Sequence, residues 1–375
     1  MKLPTIESVH IRGFRSLADA KISGLADATV LIGANGSGKS NFIRFFEMLS
    51  WMLRSHRLGE FIERQGGADD QLYKGNRVTP RLEAEIALRT SRGRNDYGFA
   101  LSYAHPDRFF FTEERFRFSD NAVEGTASWE YPNSGQREAA IVEAAQGKIP
   151  NVNPTTARTI VYLLRSCAVY QFHDTSDSSN FKRSWDVTDN TQLRSHGGNL
   201  AAILYRLEHE DIRRYEMICR QIGRILPGFN RFAIEERYGK VLLRWQSKES
   251  DKTFGAHLTS DGSLRFFALV TLLNLPPEML PNVLLLDEPE LGLHPSAVSL
   301  VGGMIRSLSN ERQVIIATQS PLLVDAFELD EIIVLELEDG RTQVREKLDQ
   351  ERYQVWLEEF TVGDLWRKNL LGGRP

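Results

Sequence analysis

Short apolar runs, each closed by a glycine, open the chain. Ile6–Ile11, Asp19–Ile22 and Ala28–Ile32 read as strands bounded by Gly13, Gly24 and Gly33. The period then changes. Phe42, Phe45, Phe46 and Leu49 recur at helical spacing and predict a helix from about Gly38 to Leu53. Residues 57–80, rich in Gly and charge, read as a loop. Apolar and polar positions alternate in Leu82–Leu88, Tyr97–Tyr103 and Phe109–Phe118, the pattern of an antiparallel β region of about four strands. Residues 137–147 and 155–165 return to helical spacing, and Asp174–Asn190 is a polar loop rich in Ser and Asp. Two charged helices are expected at Thr191–Glu208 and Asp211–Leu226, ended by Pro227-Gly228, with strands at Phe232–Glu236 and Val241–Trp245. The last third alternates. Helices are expected at Gly262–Leu275, Pro295–Leu308 and Pro321–Phe327, and strands at Val283–Leu286, Gln313–Thr318 and Ile332–Leu337. This rhythm predicts an α/β fold with a largely parallel sheet covered by helices.

Composition narrows the class. At 375 residues the chain is long enough for two or three lobes. A net charge of −4 excludes a surface that is basic throughout but permits a local basic patch. Two cysteines, Cys167 and Cys219, cannot build a disulfide framework and favour a reducing compartment. Runs such as Val283–Leu286 and Val314–Ala317 are far below the ~20 residues of a membrane helix. The opening Met1-Lys-Leu-Pro-Thr lacks the apolar core of a signal peptide. The expectation is a cytoplasmic protein without membrane association.

Two segments carry chemistry. Gly33-Ala-Asn35-Gly36-Ser37-Gly38-Lys39-Ser40 fits G-x-x-x-x-G-K-[ST], following an apolar strand and opening an amphipathic helix. Glycines let backbone N–H groups curl round phosphate oxygens, and the helix N-terminus adds partial positive charge. Lys39 is expected to reach the β and γ phosphates of ATP, and the Ser40 hydroxyl to ligate Mg²⁺. The second segment, Val283-Leu-Leu-Leu-Asp287-Glu288-Pro289, is an apolar strand ending in two carboxylates. Such a strand delivers Asp287 to the sheet edge where ligands bind in open α/β folds. Asp287 is the candidate holder of Mg²⁺ through water, and Glu288, on the opposite face, the candidate base that orients the attacking water.

The ordered set of motifs resembles ABC-type ATPase heads of the RecF/SMC-like branch, particularly the ATPase part of OLD-family proteins and their stand-alone prokaryotic relatives. The set comprises Gly33–Ser40, Leu258-Thr-Ser260-Asp-Gly262-Ser-Leu-Arg265, Asp287-Glu-Pro-Glu-Leu-Gly-Leu-His-Pro295 and Ala317-Thr-Gln-Ser-Pro321. The opening Ile6-Glu-Ser-Val-His-Ile-Arg-Gly-Phe14-Arg15-Ser16-Leu belongs to the same resemblance, which covers about 1–56 and 160–347. It implies an ABC-type head with a mixed, mostly parallel sheet, to which the alternating pattern adds an antiparallel β region and the charged helices a helical lobe. It also implies a homodimer that sandwiches two ATP molecules. Ser260 and Gly262 would then touch the γ-phosphate bound by the other subunit. Gln171 would sense Mg²⁺ and water, with His173 as a competitor, and Gln319 would stand at the switch position. Arg15, Asn35, Gly36, Ser37, Gly38 and Asn41 would complete the nucleotide-binding set. Three positions depart from the pattern. Asp261 replaces the first signature glycine, His294 the usual D-loop aspartate, and Gln319 the switch histidine. Gln319 can hydrogen-bond a phosphate but carries no proton or charge, so hydrolysis is expected to be slow.

The expected organisation is 1–56 as the first part of the head, 57–160 as the β-rich region and 161–190 as a return to the head. Residues 191–228 follow as the helical lobe, 229–350 as the second part of the head and 351–375 as a helical tail. Val362, Leu365, Trp366 and Leu370 share one face of that tail, which either docks a partner or packs on its own head. Arg194, Arg206, Arg213, Arg214, Arg220 and Arg224 offer a basic face to DNA phosphates, or with the interleaved acids a salt-bridged surface. No histidine pairing suggests a zinc site. The chain has no Asp-x-Asp, and the 28 residues after Lys347 are too few for another α/β domain. A nuclease-like effector is therefore expected on a separate chain. The function that follows is an ATP-hydrolysing, dimerising switch in DNA repair or anti-phage defence. The alternatives are the ATP-binding subunit of a membrane transporter and an SMC-like structural protein. The 221 residues from Lys39 to Ser260 (260 − 39) disfavour a compact transporter head. The lack of a long heptad region disfavours an arm protein.

Overall fold

A computed structural model describes residues 3–123, 125, 127–345 and 348–374. The first third contains β1 (Thr5–Phe14), β2 (Leu17–Ser23), β3 (Ala28–Ile32), α1 (Lys39–Ser50) and α2 (Leu58–Arg64), followed by β4 (Arg81–Arg89), β5 (Gly93–Ala104) and β6 (Arg108–Asp120). The middle holds α3 (Ile141–Ala145), α4 (Pro154–Arg165), β7 (Cys167–Tyr170), β8 (Trp185–Asp186), α5 (Leu200–Glu210) and α6 (Ile212–Ile225). Short strands β9 (Phe229–Phe232), β10 (Lys240–Val241), β11 (Arg244–Ser247) and β12 (Thr253–Gly255) follow. The last third contains α7 (Asp261–Leu273), β13 (Val283–Asp287), α8 (Pro295–Ser309), β14 (Gln313–Ala317), α9 (Pro321–Val324), β15 (Ile332–Glu338), β16 (Arg341–Val344), α10 (Gln350–Leu357) and α11 (Val362–Arg367).

The central sheet runs β16-β15-β3-β14-β13-β7. Every pair in it is parallel except β15 with β16. All five residues of β3, β13 and β14 are buried, as a parallel sheet covered on both faces requires. Alternate side chains serve two cores. Val30, Ile32, Leu284 and Leu286 face the core shared with α5 to α8, whereas Leu31 and Leu285 face the one shared with α1, α4 and the antiparallel sheet. Each such buried Leu or Ile contributes about 1.5–3 kcal/mol. The N-terminal β3 lies between β14 and β15, so both ends of the chain build the head.

The antiparallel sheet runs β2-β1-β4-β5-β6. The alternating segments add three strands to the hairpin of β1 and β2 rather than a separate set of four. Phe109, Phe111 and Phe116 are buried in its core, so this strand is not a platform for stacking bases. Two helix expectations are corrected. The Gly-rich stretch 57–80 contains α2, whose Leu58, Phe61 and Ile62 are buried. The helix expected from Thr191 begins only at Leu200, because Gly197 takes φ +70° and breaks the run. In the helical lobe Arg194, Arg206, Arg214 and Arg220 pair with Asp189, Glu210, Asp211 and Glu216. That is the salt-bridged surface rather than a continuous basic face.

The tail packs on its own head. Leu365 and Trp366 of α11 are fully buried and join the core of α9 and β15.

Candidate active site

Register brings the candidate residues to one edge of the central sheet. Asp287 pairs with Ala317, Ala317 with Leu31, and Leu286 with Tyr170. The residues that follow each strand, Gly33, Gln171, Glu288 and Thr318, therefore emerge side by side. Parallel strands ending together are the geometry in which open α/β sheets bind ligands.

The loop Gly33–Gly38 leaves β3 with Gly36 and Gly38 at φ +79° and +104°. A Cβ on Gly38 would lie 2.0 Å from Thr342 Oγ1, and one on Gly33 2.1 Å from the Leu335 carbonyl. Only glycine meets both demands. The Asn41 amide donates to Ser16 Oγ at 2.7 Å, and Ser16 Oγ lies 2.8 Å from Thr342 Oγ1, which ties the first turn of α1 to neighbouring strands. The Lys39 ammonium donates to the Gly33 and Ala34 carbonyls at 2.7 and 3.0 Å. Burial pushes its pKa down, while the carboxylates of Glu288, Asp287 and Glu290 oppose the shift. Ser37 Oγ is buried beside it without a hydrogen-bond partner. Buried polar atoms are normally satisfied, so this orphan fits a loop shaped for an added acceptor or donor.

Asp287 is the hub. Its Oδ1 accepts from Ser40 Oγ at 3.2 Å and its Oδ2 from Gln171 Nε2 at 2.9 Å. His173 Nε2 lies 3.1 Å from the Asp287 carbonyl oxygen, so both sequence candidates on the loop after β7 reach this residue. Burial raises the Asp287 pKa, with Glu288 adding and His173, Ser40 and Gln171 opposing. A hydroxyl and a carboxylate in contact are hard oxygen donors of the kind Mg²⁺ takes alongside substrate phosphates. The residues present therefore fit an ATP–Mg²⁺ group.

Glu288 takes φ +46°, a left-handed conformation that costs a non-glycine residue about 1–3 kcal/mol. Its N–H donates to the Ala317 carbonyl at 2.8 Å, and its carboxylate accepts from Gln319 Nε2. Glu290 was missed by sequence reasoning. It accepts from Thr318 Oγ1 at 2.6 Å and from the Gln319 N–H at 2.9 Å, holding the switch loop against the acidic strand end. Burial raises its pKa. The only sequence signal was a third acid two residues beyond Glu288.

Ser260 and Gly262 lie at the start of α7, and Arg15 in the β1–β2 turn next to Ser16. Ser260 is exposed and caps α7, accepting from the Ser263 N–H at 3.3 Å. Gly262 is packed so that a Cβ would lie 2.4 Å from the Gly292 carbonyl. Arg265, one turn on, was quoted in the motif without a role. It donates to the carbonyls of Phe172, His173 and Leu291 at 3.1, 2.9 and 3.2 Å, linking α7 to the loops after β7 and β13. Arg15 takes φ +50°, and its guanidinium donates to Gln71 Oε1 and Gln65 Oε1, with its pKa lowered by burial and by Arg44.

The family model described as "AAA domain, putative AbiEii toxin, Type IV TA system" matches residues 28–325, from β3 to the end of the switch loop helix. The chain belongs to that family. It is similar to the DNA replication and repair protein RecF of Anaeromyxobacter dehalogenans, at 33% identity over 88 residues, 23% of each chain. The chain thus spans about a quarter of the length of the curated relatives it matches. Among solved structures it is similar to an Smc head bound to the C-winged helix domain of ScpA, at TM-score 0.57 and 16% identity, covering 92% of this chain and 99% of that one. A Pyrococcus furiosus Smc head domain with an extended coiled coil, bound to the C-terminal domain of ScpA, also gives TM-score 0.57 at 16% identity, covering 95% and 99%. The resemblance to RecF/SMC-like ABC-type ATPases, and the α/β head fold it implies, are borne out. Among the described residues no helix is long and apolar enough to cross a membrane.

Proposed function

We propose that this chain binds ATP with Mg²⁺, hydrolyses it slowly, and works as a nucleotide-driven dimerising switch. The observation that carries the reading is the convergence of Lys39, Ser40, Asp287, Glu288 and Gln319 at one sheet edge, beside a glycine loop with an unpartnered buried hydroxyl. Lys39 would leave its loop carbonyls for the β and γ phosphates, and the loop N–H groups would take phosphate oxygens. Ser40 and Asp287 would hold Mg²⁺, which supplies charge neutralisation on the phosphates. Glu288 would take the proton of the attacking water, its carboxylate positioned by Gln319. Glu290 would keep that glutamine in place by accepting from its N–H and from Thr318 Oγ1.

A homodimer is supported by what stands unused on one chain. Ser260 is exposed at the start of α7, flanked by Leu258 and Leu291, two large apolar side chains 61% and 41% exposed. An exposed helix start beside exposed apolar side chains suits a face that closes on a second copy. A RecF-like or defence role, with DNA as a partner and a separate nuclease-like effector, is the cellular setting we propose. The RecF relatives, described as DNA replication and repair proteins, support the DNA part of that setting, and the AbiEii-type family description supports the defence part. The expected result for Glu288→Gln is ATP affinity close to wild type with turnover lowered by two or more orders of magnitude, the scale of losing a general base. Phosphate release measured beside ATP titration checks this, and full turnover in that variant rejects Glu288 as the base.

A further inference from the structure

The segment after α10 touches both loops that carry the proposed chemistry, from behind. At its start, the Gly363 N–H donates to Asp325 Oδ1 at 2.8 Å. A Cβ on Gly363 would lie 2.2 Å from the Pro321 carbonyl, so helix and switch loop are in direct backbone contact. Pro321 is two residues beyond Gln319, and Ser320 between them caps α9. At its other end, the Gly373 N–H donates to Glu336 Oε1 at 2.7 Å. A Cβ on Gly373 would lie 3.3 Å from Gly33 Cα, the first residue of the phosphate loop. The two ends are stitched together by Trp366, fully buried, whose Nε1–H donates to the Gly373 carbonyl at 2.7 Å. The path is short. Trp366 fixes Gly373, Gly373 backs Gly33, and the Gly33 carbonyl accepts from the Lys39 ammonium at 2.7 Å.

Both contacts are made to protein backbone or to Asp325 and Glu336, none of which belongs to the proposed nucleotide-binding set. Leu365 and Leu371 are buried in the core around β15 and α9, so the segment is anchored between its ends. A packed element in contact with two loops constrains both, because interiors of native density do not deform continuously.

We propose that residues 361–374 form a strap that positions the phosphate loop and the switch loop relative to each other. Trp366 acts as the positioning residue for Lys39, and Gly363 as the positioning residue for Gln319. This rests on the ATP-binding reading given above. The two ends make separable contributions. The Gly33 end sets nucleotide affinity, and the Pro321 end sets the rate of hydrolysis.

The test uses the full chain with ATP and Mg²⁺, measuring affinity by titration calorimetry and turnover by phosphate release. Trp366→Phe keeps a buried ring and removes the Nε1 donor. Its expected effect is an ATP Kd raised about three- to tenfold, the scale of one hydrogen bond, with kcat within about twofold. Gly363→Ala drives a methyl into the Pro321 carbonyl and is expected to lower kcat by a similar factor with Kd unchanged. If that variant fails to fold, Asp325→Ala removes the acceptor of the Gly363 N–H without adding bulk and gives the same readout. Tyr215→Phe removes the hydroxyl that donates to the Phe232 carbonyl in the helical lobe, and is expected to lower stability while leaving both constants alone. Unchanged Kd and kcat in all strap variants, with wild type binding and hydrolysing ATP, overturns the strap alone. Equal changes in Tyr215→Phe overturn it as well, since they would reflect general loss of stability. Wild-type protein that binds no ATP overturns the proposed function and the strap with it.

Discussion

Lys39 is held in a state that the proposed nucleotide would have to change. Its ammonium is buried, its charge is lowered in stability by that burial, and its hydrogen bonds go to two carbonyls of its own loop. Transfer to phosphate replaces neutral acceptors with charged ones, and hydrogen bonds between charged groups are worth about 1.5–3 kcal/mol each. Lys39→Ala is therefore expected to weaken ATP binding roughly 10- to 150-fold, measured by calorimetry, with the fold intact. Affinity equal to wild type would remove the phosphate-loop assignment. At this scale much of the site was legible in the sequence. Gly33 and Gly38 are dictated by local geometry, Ser40 is fixed by the motif, and Asp287 and Glu288 follow from their place at the end of an apolar strand. Glu290 and Arg265 were not legible as site residues. Their roles lie in contacts with Thr318, Gln319, Phe172 and His173, which only the packing of strands distant in sequence brings near.

Among the elements, the antiparallel sheet carries a buried acid with a measurable consequence. Glu114 of β6 accepts from Tyr97 Oη at 2.7 Å and from the N–H groups of Ala140 and Ile141 at 2.7 and 3.1 Å, fastening the start of α3 to the sheet. Burial pushes its pKa to about 7, against hydrogen bonds that pull it down. The folded state thus holds a proton that the unfolded chain, with a pKa of 4.5, has released. Stability from this group is greatest below pH 4.5 and is lost as pH rises through 7, by up to about 3 kcal/mol. Urea denaturation at pH 5 and pH 8 should show wild type losing more stability over that interval than Glu114→Gln. The same pH dependence in both would assign it to other groups, such as Asp287 and Glu290, whose pKa values are also raised. The elements themselves were read well where the period was long. The strand boundaries of β3, β13 and β14 and the start of α8 follow the apolar runs closely. The first turns of the expected helix at Thr191 failed because Gly197 and Gly198 interrupt it, and α2 was hidden because its three buried apolar residues lie in a stretch of glycines and charges.

For the whole molecule, the proposed sandwich makes the two sites on one chain complementary halves. The phosphate loop and Asp287–Glu288 would form one, and exposed Ser260 with the packed Gly262 the other, joined to it through Arg265 and the loop after β7. Mixing Lys39→Ala with Ser260→Arg subunits should restore turnover, because each heterodimer keeps one intact composite site. Heterodimers that form without restored turnover would make Ser260 a helix cap and nothing more. The departures at Asp261, His294 and Gln319 belong to this scale too. Gln319 bonds Glu288 within the chain, whereas Asp261 and His294 lie exposed at the starts of α7 and α8. The most direct measurement is multi-angle light scattering of Glu288→Gln with and without ATP and Mg²⁺. The expected result is a shift from a monomer of 42.7 kDa to a dimer when ATP is added. A variant that binds ATP and stays monomeric, while wild type turns over normally, would contradict the sandwich on which the proposed switch depends.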